Sequence, residues 1–434
     1  MVKTVGIVSL SSGILGEDLV KHELEIGVKR LLAMGLTVRF MPHALKGLGY
    51  VRDHPQKRAQ DLLTAFKDPE IDMILCAIGG DDTYRLLPYL FDNGALADAV
   101  NDKIFLGFSD TTVNHFMLHK VGAVTYYGQS FLSDICEMGP DMLPYSRTYF
   151  EELVKTGGIR EIRPADLWYS ERTSFAPDQI GVPPKAHKNV GFELLHGPPV
   201  FSGKILGGCI DSIYDFFNGD RYADIPEMCR RYGLFPSPED WKGRILLLES
   251  SEEKPSPEKY RTALRFLKAA GVFDAVSGVL VGKPMDEAFA GDYKAALARE
   301  IGDPDLPVLF NVNIGHANPR CIMPFGIDAT VDANSRVIRF HGRQPQIRRI
   351  TYYERALRTA RSIMDLASRS HEDTVRLKEK IRLLSDYYAS DDWKQDFADD
   401  EAGLLPKDLR RGVLSEDGID HILERYKDLG HRDI

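Results

Sequence analysis

From Val2 to about Pro140 the chain alternates short apolar runs with longer stretches in which apolar residues recur at helical spacing. Residues 5–10, 37–41, 73–78 and 104–108 predict strands, and residues 19–34, 56–67, 84–91 and Thr111–Lys120 predict helices between and after them. Strands alternating with helices are joined by crossovers, which builds a parallel sheet flanked by helices and gathers ligands at the carboxyl ends of its strands. Gly79 and Ser109 fall at such ends.

The pattern changes twice. Residues 141–200 are less regular and rich in turn formers, as in Phe175-Ala176-Pro177 and Gly181-Val182-Pro183-Pro184, so they predict a connecting and substrate loop region. Apolar runs at 244–248, 278–281 and Val308–Val312 then predict a second mixed α/β domain. Beyond about Pro345, residues 350–388 carry Leu357, Ala360, Ile363, Met364 and Ala367 at helical spacing among many Arg, Lys and Glu. The expected fold class is α/β, with an N-terminal parallel sheet flanked by helices (1–150), a connecting region (151–200), a second mixed α/β domain (201–343) and an α-helical C-terminal extension (344–434).

Composition narrows the function. With 434 residues, 43% hydrophobic and 27% charged, the chain can bury sizeable cores. A net charge of −9 disfavours a nucleic-acid polymer as partner. An N-terminus without a signal-peptide pattern and the lack of a membrane-length apolar run predict a cytoplasmic protein with no membrane association. The five cysteines are scattered and the histidines lack ligand spacing, so neither disulfides nor a metal site is expected.

Three segments carry chemistry. Gly107-Phe108-Ser109-Asp110-Thr111 places a hydroxyl where a strand meets a helix; Ile245-Leu246-Leu247-Leu248-Glu249 ends an apolar strand on a carboxylate; Asn313-Ile314-Gly315-His316 puts an imidazole in a loop. A serine needs a base to take its proton, and the base works best when a carboxylate orients it, so the three could form a nucleophile, an orienting acid and a general base. A fourth segment, Gly79-Gly80-Asp81-Asp82-Thr83, offers amides for an oxyanion or a phosphate. Each segment also has an ordinary reading: Ser109 or Asp110 as a helix cap, the glycines as a tight turn, Glu249 and His316 as structural residues.

Taken together, Ala77-Ile78-Gly79-Gly80-Asp81-Asp82-Thr83, Gly107-Phe108-Ser109-Asp110, Leu248-Glu249-Ser250-Ser251-Glu252-Glu253-Lys254-Pro255 and Asn313-Ile314-Gly315-His316 resemble the LD-carboxypeptidase and microcin C7 immunity peptidases, the immunity branch more closely. The resemblance runs from the N-terminus to about Phe340. It implies a catalytic triad of Ser109, Glu249 and His316, an oxyanion hole from the amides of Gly80 and Asp110, and substrate contacts from Gly79, Asp81 and Trp168. The chain departs from the family's pattern at Gly207-Gly208-Cys209, where an Asn often follows the glycines. The tail, in Tyr387-Tyr388-Ala389-Ser390-Asp391-Asp392-Trp393 and then in Leu405 to Gly418, is similar to a bacterial helical domain family of unknown function.

The resemblance implies a serine peptidase that hydrolyses an amide at the carboxyl end of a small peptide or peptidyl-nucleotide, without a cofactor. It also implies a homodimer, with a possible protein partner for the helical tail. If His316 is the base, it is expected to titrate in the ordinary histidine range. The alternatives are a murein LD-carboxypeptidase releasing terminal D-alanine, a phosphoryl-transfer enzyme using the Gly79–Thr83 turn, for which Arg85 is the one nearby cation, and a non-catalytic binding protein.

Overall fold

Runs of Val, Ile and Leu at the start of the chain form β1 (Thr4–Val8), β2 (Thr37–Phe40), β3 (Met73–Cys76), β4 (Ile104–Gly107) and β5 (Thr125–Tyr127) in the computed structural model, which describes residues 1–430. β3 and β4 are buried at every position, as central strands covered on both faces must be. The connecting region contributes β6 (Glu161–Ile162), β7 (Leu167–Tyr169), β8 (Ala186–Lys188) and β9 (Glu193–His196). Then follow β10 (Val200–Cys209), β11 (Ile245–Glu249), β12 (Gly278–Gly282), β13 (Val308–Val312), β14 (Met323–Phe325), β15 (Asp328–Asp332) and β16 (Val337–Phe340).

The first sheet has six strands in the order β14-β5-β4-β3-β1-β2. All its pairs are parallel except β14 on β5, which is antiparallel and brings residues from late in the chain to its edge. The second sheet has eight strands in the order β6-β16-β15-β10-β11-β12-β13-β9, with a parallel centre from β10 to β13. β10 joins its two halves: Val200 to Lys204 pair antiparallel with β15, and Ile205 to Cys209 pair parallel with β11. The sheets lie in one compact unit, Met1–His341.

Several predicted elements change in detail. The run 84–91 is a 3₁₀ turn, Thr83–Leu86, followed by a short helix, Leu87–Phe91. The irregular stretch after 141 contains a full helix, Pro144–Thr156, started by a proline at its first turn and buried through Tyr149, Phe150, Leu153 and Val154. β10 and β14 to β16 were not anticipated by the apolar pattern.

The second compact unit begins at Gly342 and is helical, with helices Gln344–Met364, His371–Tyr388, Asp391–Glu401 and Glu416–Gly430. Leu357, Ala360, Leu377, Leu384, Val413 and Ile419 are among its core residues. Ser370 starts the second of these helices with a capping box closed by Asp373. Asp396, fully buried, accepts from Gln346, Arg349 and the Tyr387 hydroxyl, so its charge is paired rather than stranded. None of the described helices is long and apolar enough to cross a membrane.

Candidate active site

The residues singled out in the sequence gather at the carboxyl ends of the parallel strands. Ser109 follows β4 and precedes the helix Thr111–Lys120; Glu249 is the last residue of β11; His316 lies in the loop after β13; Gly79 and Gly80 follow β3. Ser109 has φ +65°, in the left-handed region that costs a non-glycine residue about 1–2 kcal/mol. That sharp turn lifts its hydroxyl out of the strand. Neither Ser109 nor Asp110 caps the helix with its side chain.

The three side chains form one hydrogen-bonded line. Nε2 of His316 is 3.0 Å from Oγ of Ser109, and Nδ1 of His316 is 2.8 Å from Oε2 of Glu249. Since a carboxylate only accepts, Nδ1 carries hydrogen toward Glu249, while Nε2 faces the serine. The same Oε2 also accepts the backbone N–H of His316 at 3.2 Å. Gly315, at φ +90°, makes this approach possible: a Cβ there would lie 2.3 Å from Oε2 of Glu249.

Tyr127, on β5, closes the network. Its hydroxyl donates to Oε1 of Glu249 at 2.6 Å and accepts the Ser109 backbone N–H at 3.2 Å. A buried carboxylate needs such partners on both oxygens, and Glu249 has them. Burial first, and the Glu249 charge next, push the Tyr127 phenol well above its ordinary range, so it remains a donor. No spacing in the sequence pointed to Tyr127.

The turn after β3 packs against the serine. A Cβ on Gly79 would lie 2.6 Å from Oγ of Ser109, so only glycine permits this contact. The backbone N–H groups of Gly80 and Asp110 make no hydrogen bond among the described residues. The Asp110 carboxylate points elsewhere, accepting from the Ser11 hydroxyl at 2.6 Å and the Thr83 amide at 3.0 Å, and burial pushes it up to about 6. The turn is tied down by Arg58, a buried residue that no motif in the sequence singles out. Its guanidinium donates to Asp82 at 2.5 and 3.3 Å and to the carbonyls of Leu10 and Ser11.

A second carboxylate reaches the imidazole. Oε2 of Glu252 is 2.9 Å from Nε2 of His316, on the nitrogen that also faces Ser109. Burial alone would lower the basicity of His316, but Glu249 and Glu252 outweigh it and hold the imidazole up at about 10, above the range expected from the sequence. Glu252 moves the opposite way, down to about 2, through its bond to His316. Cys209 brings its sulfur within 4.8 Å of ligand atoms of Glu249 and His316; burial and the Glu249 charge raise its thiol well above the ordinary value, so it is not a thiolate.

A cavity of about 430 Å³ opens beside Ser109 and His316. Phe108, Phe175 and Met285 supply apolar walls; Arg172 and Arg320 supply cations. Arg320 is buried over the Phe108 ring at 4.5 Å and donates to the His316 carbonyl at 3.2 Å. Arg172 pairs with Glu137 at 2.5 Å. Trp168 is not among the residues lining this cavity: it is buried, stacked on His187 at 4.1 Å, with the Lys283 ammonium 4.9 Å from its ring centre. Asp81 lies outside the cavity too, accepting from Tyr222 at 3.2 Å. Arg85 is engaged by Asp82 at 3.6 Å and by the ring of Tyr222.

This chain is similar to known proteins along most of its length. Residues 5–128 match the LD-carboxypeptidase N-terminal domain, residues 202–331 the LD-carboxypeptidase C-terminal domain, and residues 350–432 a domain of unknown function, DUF4298. An MccF-like protein from Streptococcus pneumoniae, solved in complex with AMP, is 59% identical, superposes with a TM-score of 0.78, and is matched over 78% of this chain and 99% of its own. The microcin C7 self-immunity protein MccF of Escherichia coli is 26% identical over 288 residues, covering 65% of this chain and 77% of the relative. A putative carboxypeptidase of Treponema pallidum is 27% identical over 336 residues, or 75% and 89% of the two chains. With these matches spanning both sheets, the chain belongs to the LD-carboxypeptidase family of serine peptidases, S66, and is a hydrolase of that family extended by a DUF4298 unit.

Proposed function

We propose that this hydrolase cleaves an amide at the carboxyl end of a small peptide or peptidyl-nucleotide, using Ser109 as nucleophile. The observation that carries the proposal is the unbroken line from Ser109 through His316 to Glu249. Oγ of Ser109 attacks the carbonyl and passes its proton to Nε2 of His316; Glu249 keeps Nδ1 protonated and balances the imidazolium. The free amides of Gly80 and Asp110 receive the oxyanion, a contribution worth on the order of 10² to 10³ in turnover per donor in enzymes of this kind. His316 then protonates the leaving amine, and water resolves the acyl-enzyme by the same route. Glu252 yields Nε2 when substrate enters, because an imidazolium held between two carboxylates cannot accept the serine proton.

The substrate class rests on two supports. The cavity beside Ser109, at about 430 Å³ with apolar walls and two arginines, has the size and character of a site for a nucleotide-sized ligand. The Streptococcus pneumoniae relative was solved with AMP. The experiment compares kcat/KM for an amide-linked aminoacyl adenylate analogue with that for a murein tetrapeptide, in the wild type and in Ser109→Ala. Faster cleavage of the nucleotide substrate, abolished in Ser109→Ala, is expected. A preference for releasing D-alanine from the tetrapeptide overturns the substrate assignment, and an active Ser109→Ala overturns the nucleophile.

A further inference from the structure

Ser109 stands between two hollows of unequal size. Adjoining the large cavity is a pocket of about 20 Å³ that shares Gly80, Ser109 and Glu252 with it and that Asp211, Asp215, Ser251 and Glu253 complete. A volume of that order admits one group the size of a water molecule. Ser251 lines it with a hydroxyl that has no hydrogen-bond partner among the described residues, although the residue is only 6% exposed. Its amide is already committed to Asp211 at 3.1 Å. A buried hydroxyl left unpaired in this way calls for a partner from outside the chain.

The charge around the pocket is unbalanced. Asp215 is 3.3 Å and Glu253 3.0 Å from nitrogens of Arg221, and Asp211 is 3.1 Å from Lys259. Those two cations serve three carboxylates, and Asp81, 3.9 Å from Arg221, with the buried Asp110 adds two more. Asp215 is held up at about 6, first by burial, with the pull of Arg221 opposed by the charge of Asp110. A second cation entering among these carboxylates would be favoured.

We propose that this pocket is a subsite for a primary ammonium on the acyl part of the substrate. The proposal rests on the peptidase reading above for which part of the substrate lies on this side of Ser109. An ammonium is water-sized, offers three donors, and meets here an unpartnered hydroxyl and carboxylates. With the carbonyl oxygen held by the amides of Gly80 and Asp110, its two substituents diverge, and only the larger cavity has room for a peptide or nucleotide leaving group. The ammonium can come from the α-amino group or from a lysine-like side chain; both present the same chemistry.

The test uses the full-length Ser109→Ala protein and calorimetry, so that binding is read without hydrolysis. Its probes are lysinamide, its Nα-acetyl and Nε-acetyl forms, and the doubly acetylated amide. Lysinamide should bind at least tenfold more tightly than the doubly acetylated form, and the single acetylation that causes the loss identifies the source. Ser251→Ala, or Asp215→Asn should the first variant be poorly folded, should remove that difference while leaving the doubly acetylated amide unaffected. Equal binding of all four, no measurable binding of lysinamide, or equally tight binding of the Nα-acetylated α-amide of glutamate, which carries no ammonium, overturns the subsite. Turnover of a lysyl adenylate analogue by the wild type tests the peptidase reading separately: tight binding of lysinamide without turnover leaves the subsite standing and removes the reaction.

Discussion

Replacing Glu252 by Gln removes one of the two negative charges on His316 while keeping the side chain's size. The affected nitrogen is the one that must be free to take the serine proton. At 2.9 Å, with the Glu252 side chain 57% exposed, a water-like dielectric gives about 1.4 kcal/mol of attraction, and the mobility of an exposed carboxylate reduces it to about 1 kcal/mol. That is between about half and one pH unit of His316 basicity. The sign follows from the base's role: protonated His316 is inactive, so the acid limb of kcat/KM tracks its ionisation in the free enzyme, and losing Glu252 moves that limb to lower pH. Below the wild-type limb, Glu252→Gln should therefore be about 3- to 10-fold faster than the wild type. The assay is kcat/KM against pH on an amide-linked aminoacyl adenylate analogue, paired with NMR titration of the His316 ring in the free protein. A wild-type ionisation at the ordinary histidine value, or a limb that does not move in the variant, would refute the claim that Glu252 raises the basicity of His316.

Ser109→Ala should lose nearly all turnover while its thermal melting stays close to that of the wild type, and chelators should leave the wild type unaffected; a chelator-sensitive rate would point to other chemistry. Tyr127→Phe leaves Oε1 of Glu249 buried without its donor, a loss of about 2 kcal/mol visible in denaturant melts, with a fall in kcat of roughly tenfold as the carboxylate turns from His316; an unchanged kcat would mean that Tyr127 only packs. A chain ending at His341 keeps the whole first unit and should retain turnover on a small substrate. Light scattering on the same protein reports whether the family's expected dimer survives without the helical unit, and lost turnover in a folded, truncated protein would place an essential group beyond His341.

How much of this could be read from the residues depended on how local the signal was. Thr111–Lys120 and Val308–Val312 coincide with the predicted bounds because each is an unbroken periodic run with clear ends. β10 escaped notice because Gly203, Lys204, Gly207 and Gly208 interrupt its apolar character, although its position between β15 and β11 makes it central. β14 is three residues long and contains a proline; only its pairing with β5 makes it a strand. The positions of Ser109, Glu249 and His316 at strand ends were legible, and the family resemblance linked them. Tyr127 and Arg58 were not, since a tyrosine inside a strand and an arginine on an amphipathic helix look ordinary until the chain brings them to a buried carboxylate. Glu252 sits in a polar run, Ser250 to Lys254, with the look of a solvated loop, and its side chain is indeed more than half exposed; what distinguishes it is that the loop brings it to His316.

The antiparallel strand at the rim of the first sheet has a consequence for how the molecule is made. During synthesis β1 to β5 leave the ribosome early, but the strand that covers β5 emerges only after β13. Until then β5 presents an open edge, and it is β5 that carries the Tyr127 hydroxyl under Glu249. Long-range pairings of this kind close late and slowly, and exposed edges invite pairing with other chains. A nascent or prematurely terminated chain that stops short of Met323 thus carries Ser109 and Tyr127 on an unfinished first sheet, even where Glu249 and His316 of the second sheet are already made. The last strand of the first sheet to be made, three residues long, is thus the one that covers the edge bearing the tyrosine under Glu249.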